Sequence, residues 1–125
     1  MAITDANIIL RYVLDDHPEL SKRATEIIEN NFVILPIEVA CEVVFVLQKV
    51  YEIEREIIQS ILGELIQNNL IFLERRELLL QALDCYAKTR FDFVDCLLWA
   101  YHEIDGESIF TFDRKLDRYI QGGGQ

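Results

Sequence analysis

The 125-residue chain is predicted to fold as a three-layer α/β/α sandwich built on a short central parallel sheet. Two observations carry that expectation. Four apolar segments, Ala2–Thr4, Phe32–Leu35, Leu70–Leu73 and Ile109–Phe112, have the length and composition of buried strands. The stretches between them repeat apolar residues at three- and four-residue spacing, which is the period of a helix with one apolar face. Short strands alternating with such helices imply a parallel sheet covered on both sides. The length suits one hydrophobic core, and no repeat, linker or low-complexity block divides it. A single domain over residues 1–121 is therefore expected, with Gly122-Gly123-Gly124-Gln125 as a disordered tail.

Taken in order, the first strand ends at Asp5, and Asn7 is expected to cap a helix carrying Ile8, Ile9, Leu10, Tyr12, Val13 and Leu14. That helix stops at Asp15-Asp16, ahead of Pro18. Ser21 to Glu29 has helical spacing through Leu20, Ala24, Ile27 and Ile28. The strand Phe32–Leu35 is cut by Pro36, and Ile37 to Val50 is a helix striped by Val39, Val43, Val46, Leu47 and Val50. Arg55 to Gln67 repeats the pattern through Ile57, Ile58, Ile61, Leu62 and Leu65. After the third strand, Glu77 to Thr89 and Phe93 to Glu103 are helices, the second turning Val94, Leu97, Leu98 and Tyr101 inward. The fourth strand meets Asp113 at once, and a polar helix containing Asp117 follows.

A content of 51% hydrophobic and 27% charged residues is that of an ordinary globular protein. No apolar run approaches the roughly 18–20 residues of a membrane span. The first residues lack the basic and small-residue pattern of a signal peptide, so a cytoplasmic protein with no membrane contact is expected. Cys41, Cys85 and Cys96 sit among apolar neighbours and read as buried reduced thiols. With His17 and His102 dispersed from them, no zinc site is expected. The net charge of −10 argues against a passive nucleic-acid binder, which grips phosphates with Lys and Arg. It leaves room for a nuclease, because bound divalent ions reverse the local field, and for docking of a basic partner.

In open parallel sheets, sites form beyond the carboxyl ends of strands. Asp5 and Asp113 fall there. Glu42 and Asp95 lie on helices among apolar neighbours, where a carboxylate is expected to be half-buried and to need a partner. Two anions about 4 Å apart repel by about 4 kcal/mol at an effective dielectric near 20. A cluster of such groups must take up protons, pair with cations or bind metal. Hard oxygen ligands without thiolates favour Mg²⁺ or Mn²⁺. The competing reading is that acids after strands simply cap helices.

Four segments bear a resemblance in a consistent order. Thr4-Asp5-Ala6-Asn7-Ile8-Ile9-Leu10-Arg11-Tyr12 resembles the opening of PIN-domain proteins. Ile37-Glu38-Val39-Ala40-Cys41-Glu42-Val43-Val44-Phe45-Val46-Leu47 resembles the second motif of that family, Phe91-Asp92-Phe93-Val94-Asp95-Cys96-Leu97-Leu98 the third, and Thr111-Phe112-Asp113-Arg114 the fourth. The resemblance implies a Rossmann-like fold and Asp5, Glu42, Asp95 and Asp113 as metal ligands and catalytic acids. Asn7, Asp92 and Thr111 are then supporting residues that orient a carboxylate or water. The chain's size and Asp15-Asp16-His17-Pro18-Glu19 are most similar to the VapC-type toxin branch. That likeness implies Mg²⁺- or Mn²⁺-dependent cleavage of RNA, homodimerisation and inhibition by a cognate antitoxin.

Within each acidic pair the first member has a bland reading. Glu38 shares a helix face with Glu42 and suits the first turn, and Asp92 suits the cap before Phe93. Arg114 either pairs with a site acid or touches phosphate. Trp99 and Tyr101 read as core or dimer residues. A haloacid-dehalogenase-like phosphotransferase would require an Asp where Asn7 stands. A catalytically silent PIN scaffold, expected to have lost acids, is the alternative class, and DNA cleavage would call for longer insertions.

Overall fold

A computed structural model describes residues 2–123 of the chain. Backbone contacts group into two compact units, the first running to Arg76 and the second starting at Glu77. Seven helices and two strands are formed among the described residues.

The first unit holds β1 (Ala2–Ile3), α1 (Ala6–Leu14), α2 (Pro18–Asn30), β2 (Val33–Ile34), α3 (Ile37–Lys49) and α4 (Arg55–Gln67). β1 and β2 run parallel, with Ala2 opposite Val33 and Ile3 opposite Ile34. The expected third strand contributes a single parallel bridge, Ile34 to Phe72. It is fixed by Phe72 N–H donating to Val33 O and Leu35 N–H donating to Phe72 O, both at 2.8 Å. Each parallel step is spanned by a pair of helices, as crossover connections require. Alternation along the strands puts Val33, Leu35, Ile71 and Leu73 in the core, while Phe32 and Phe72 are exposed and pack on each other at 5.0 Å.

Apolar burial supplies the cohesion of these helices. Ile9 and Leu10 on α1, Ala40, Val43, Val44 and Leu47 on α3, and Ile58, Leu62, Leu65 and Ile66 on α4 are buried. Each large one contributes about 1.5–3 kcal/mol. The stripes are rotated from those the sequence suggested, with Val50 and Ile57 exposed.

Local chemistry sets the helix ends. Asp5, not Asn7, caps α1: its side chain accepts from Ile8 N–H at 3.1 Å, and Asn7 lies inside the helix. α1 ends where Asp15 takes a left-handed conformation. Pro18 opens α2, earlier than expected, where its fixed φ and missing N–H cost nothing. His17 Nδ1 caps that helix by accepting from Leu20 N–H at 3.0 Å, while Ser21 Oγ accepts from His17 N–H at 3.2 Å. Arg11 joins Asp16 at 2.8 Å and donates to the Tyr51 hydroxyl at 3.0 Å, tying the end of α1 to the turn after α3.

The second unit contains most of α5 (Arg76–Lys88), then α6 (Phe93–Asp105) and α7 (Arg114–Gln121). Gly106 ends α6 with φ of 69°, a left-handed conformation that glycine adopts without strain. The expected strand Ile109–Phe112 is not formed among the described residues, and Phe110 and Phe112 are fully exposed at 97% and 107%. Four residues between a helix stop at Gly106 and a helix start at Asp113 have strand composition but no ladder. Of the expected tail Gly122-Gly123-Gly124-Gln125, Gly122 and Gly123 follow the end of α7 and donate to Arg118 O and Ile120 O. The tail's last two residues, Gly124 and Gln125, lie outside the described set.

Packing in this unit is aromatic and thiol-rich. Tyr86 meets Phe93 edge to face at 5.7 Å, and Tyr119 stacks against Phe91 and Trp99 at 5.3 and 5.8 Å. Cys85 and Cys96 are buried free thiols on either side of the Thr89 hydroxyl, 4.0 Å from each. Hydrogen bonding from Cys96 pulls the Cys85 thiol down to about 7. Burial, and then the neighbouring Cys85, push the Tyr119 phenol up to about 12.

Candidate functional site

Three of the acids singled out by sequence come together in the second unit. Asp92, Asp95 and Asp113 line one cleft of about 320 Å³ with Arg90, Phe91 and Lys115. The turn before α6 is shaped by Thr89, whose hydroxyl donates to Cys85 O at 2.8 Å and accepts from Phe91 N–H at 3.3 Å. That turn presents Arg90, Phe91 and Asp92 to the cleft. Asp92 occupies the cap position of α6 without spending its side chain on a capping bond.

Asp95 follows in the first turn of α6 and is half-buried. Burial, then the nearby charges of Asp92 and Asp113, hold its carboxyl above the ordinary carboxylate range. Mutual repulsion of gathered carboxylates, expected from the sequence, is thus present within this unit.

Asp113 caps α7. Its Oδ1 accepts from Leu116 N–H at 3.0 Å, and its own N–H donates to Thr111 Oγ1 at 3.0 Å. Thr111 therefore fixes the backbone from which Asp113 projects, a supporting role by hydrogen bonding. Arg114 is not among the residues lining the cleft, whereas its neighbour Lys115 is.

Asp5 and Glu42 belong to the first unit. Asp5 is exposed and engaged as the α1 cap. Glu42 is exposed, not half-buried as its apolar neighbours in sequence suggested, and Glu38 is exposed in the first turn of α3. One helical turn exposes one residue of four even in an apolar run, and Glu42 holds that position. Asn7 is also exposed.

Among the described residues no three His, Cys, Asp or Glu side chains form a ready-made group able to hold a metal ion. The donor chemistry of the cleft nevertheless fits a hard cation. Its acids offer oxygen ligands only, and Asp95 sits where a positive charge would relieve both its burial and its repulsion. Sequence reasoning missed Arg90 and Lys115. The available signal was the Arg114-Lys115 pair directly after Asp113, cations at a helix start where the peptide dipoles disfavour them.

Fold and cleft together define an α/β protein with an acidic cleft beside helix N-termini. The PIN domain family matches residues 2–121, and the chain belongs to that family, whose members are generally nucleases. Comparisons with curated proteins and with solved structures return no match. No helix among the described residues is long and apolar enough to cross a membrane.

Proposed function

We propose that the chain is a metal-dependent endoribonuclease that hydrolyses RNA phosphodiester bonds as the toxin of a toxin–antitoxin pair. The reading carries with it a single three-layer PIN domain over residues 1–121, a homodimer, a cognate antitoxin and a cytoplasmic location. The observation that carries it is the cleft of Asp92, Asp95 and Asp113 in a chain matched by the PIN domain family.

Asp5, Glu42, Asp95 and Asp113 are the proposed ligands and catalytic acids, with Asn7, Asp92 and Thr111 in support. These oxygens would hold Mg²⁺ or Mn²⁺, which when bound would supply Lewis acidity toward the phosphodiester and activate an attacking water. The protein's own part is positioning. Thr111 holds the Asp113 backbone, the α6 first turn carries Asp95, and Asp92 keeps both carboxylate oxygens clear of capping.

One observation favours a second reading, a catalytically silent scaffold. Asp5 and Asp113 both spend a carboxylate oxygen on capping, which gives each a structural reason to be present. Incubating purified protein with total RNA, with and without Mg²⁺ or Mn²⁺, separates the two. Metal-dependent cleavage that is lost in Asp5→Asn is expected. Intact RNA under all conditions would leave the scaffold reading standing.

A further inference from the structure

We propose that Lys115, with Arg90 lining the same cleft, forms a subsite for a phosphate of a bound nucleic-acid strand, which deepens and rests on the nuclease reading. Three observations lead there. The chain has 12 basic and 22 acidic residues, so two cations in the lining of one small cleft stand out against an acidic background. Lys115 lies in the first turn of α7, the positive end of the helix. A cation there gains nothing from the helix and is mildly repelled by it, as Arg114 is too, and its place in the cleft lining sets Lys115 apart. Among the described residues, no ion pair engages Lys115, and its side chain is exposed.

Residues that break a local rule beside a site are where function is to be sought. Lysine and arginine supply the sequence-independent grip on phosphates that positions a strand. The cleft is lined by three acids and two cations. The acids oppose a polyanion there, so binding is expected to be stronger when a divalent ion offsets them.

Arg114 provides an internal control. Its replacement by Gln removes the same single charge from the same helical turn, but Arg114 does not line the cleft. The experiment measures binding of a fluorescently labelled RNA oligonucleotide by anisotropy in Ca²⁺ and in EDTA, over a range of salt. Wild type, Lys115→Gln, Lys115→Arg and Arg114→Gln are compared, with thermal melts of each. Lys115→Gln is expected to weaken binding in Ca²⁺ about tenfold, as for a charge-assisted phosphate contact, and to lower the salt slope by about 1. Lys115→Arg is expected to restore binding, Arg114→Gln to stay within about twofold of wild type, and no variant to melt earlier.

Equal weakening by Arg114→Gln and Lys115→Gln would overturn the subsite, as would unchanged binding by Lys115→Gln or no binding by wild type in Ca²⁺. Wild-type protein that binds RNA through Lys115 but leaves it uncut in Mg²⁺ and Mn²⁺ would sink the cleavage reading and leave the subsite in place.

Discussion

The Thr111 hydroxyl accepts a hydrogen bond from the Asp113 amide at 3.0 Å, two residues ahead of the helix that Asp113 caps. Strand-like composition at Ile109–Phe112 thus leads into a turn that fixes the angle of a site carboxylate. Replacing Thr111 by Val keeps the shape and removes the acceptor. A loss of about 1 kcal/mol in stability is expected, with reduced cleavage, while Thr111→Ser retains both. Equal melting temperatures for the Val and wild-type proteins would show that the bond contributes nothing.

Asp5 and Asp113 are caps as well as proposed ligands, and alanine and asparagine separate the two roles. Asn still accepts from the first-turn amide, so Asp5→Asn and Asp113→Asn are expected to fold with near wild-type stability and to lose cleavage. Alanine removes the acceptor and is expected to cost about 1 kcal/mol at each site. Denaturant unfolding of the four variants checks this. Asn variants as unstable as the Ala variants would contradict the capping geometry.

Asp95 carries a stability signature without metal. Its folded carboxyl is held above the ordinary value of 3.8, by burial first and then by Asp92 and Asp113. Below that value the group is protonated in both states and has no effect. As pH rises through it, the unfolded chain releases its proton first and folding is penalised. In EDTA, Asp95→Asn is expected to gain stability over wild type on going from about pH 4 to about pH 6. A difference between the two proteins that stays flat with pH would refute the upward shift of the Asp95 carboxyl.

The thiols give an independent check on packing. Cys85 and Cys96 are buried, whereas Cys41 is partly accessible with its thiol held above its ordinary range by burial and then by Glu38. A thiol reagent is expected to modify Cys41 first and the other two only after denaturation. Rapid modification of Cys85 in the native protein would show that the α5–α6 packing opens readily.

Much of this was legible in the chain itself. Helix periods read through Val43 and Leu47, or Ile58 and Leu62, placed α3 and α4 to within a residue. Asp92, Asp95 and Asp113, which line the cleft, lie in segments whose resemblance to family motifs is visible in the sequence. Other features were hidden for identifiable reasons. An apolar run such as Leu70–Leu73 does not reveal how many ladder bonds it will make, and here only Phe72 bridges. Choosing Asn7 over Asp5 as the cap followed residue preference, which is nearly equal for the two types; the chain's exit from β1 decided it. Glu42 was misjudged as half-buried from its neighbours, since adjacent residues on a helix face different directions. The PIN domain match covers nearly the whole chain, yet the cations at the cleft belong to no motif and emerged only from their placement.

At both Asp5 and Asp113, one oxygen of the carboxylate already holds an amide proton of the helix that follows. Anything that competes for those oxygens tugs on a backbone N–H. If the proposed ion binds at these carboxylates, the Ile8 and Leu116 amides would exchange with deuterated solvent at a changed rate on its addition, even where no substrate is turned over.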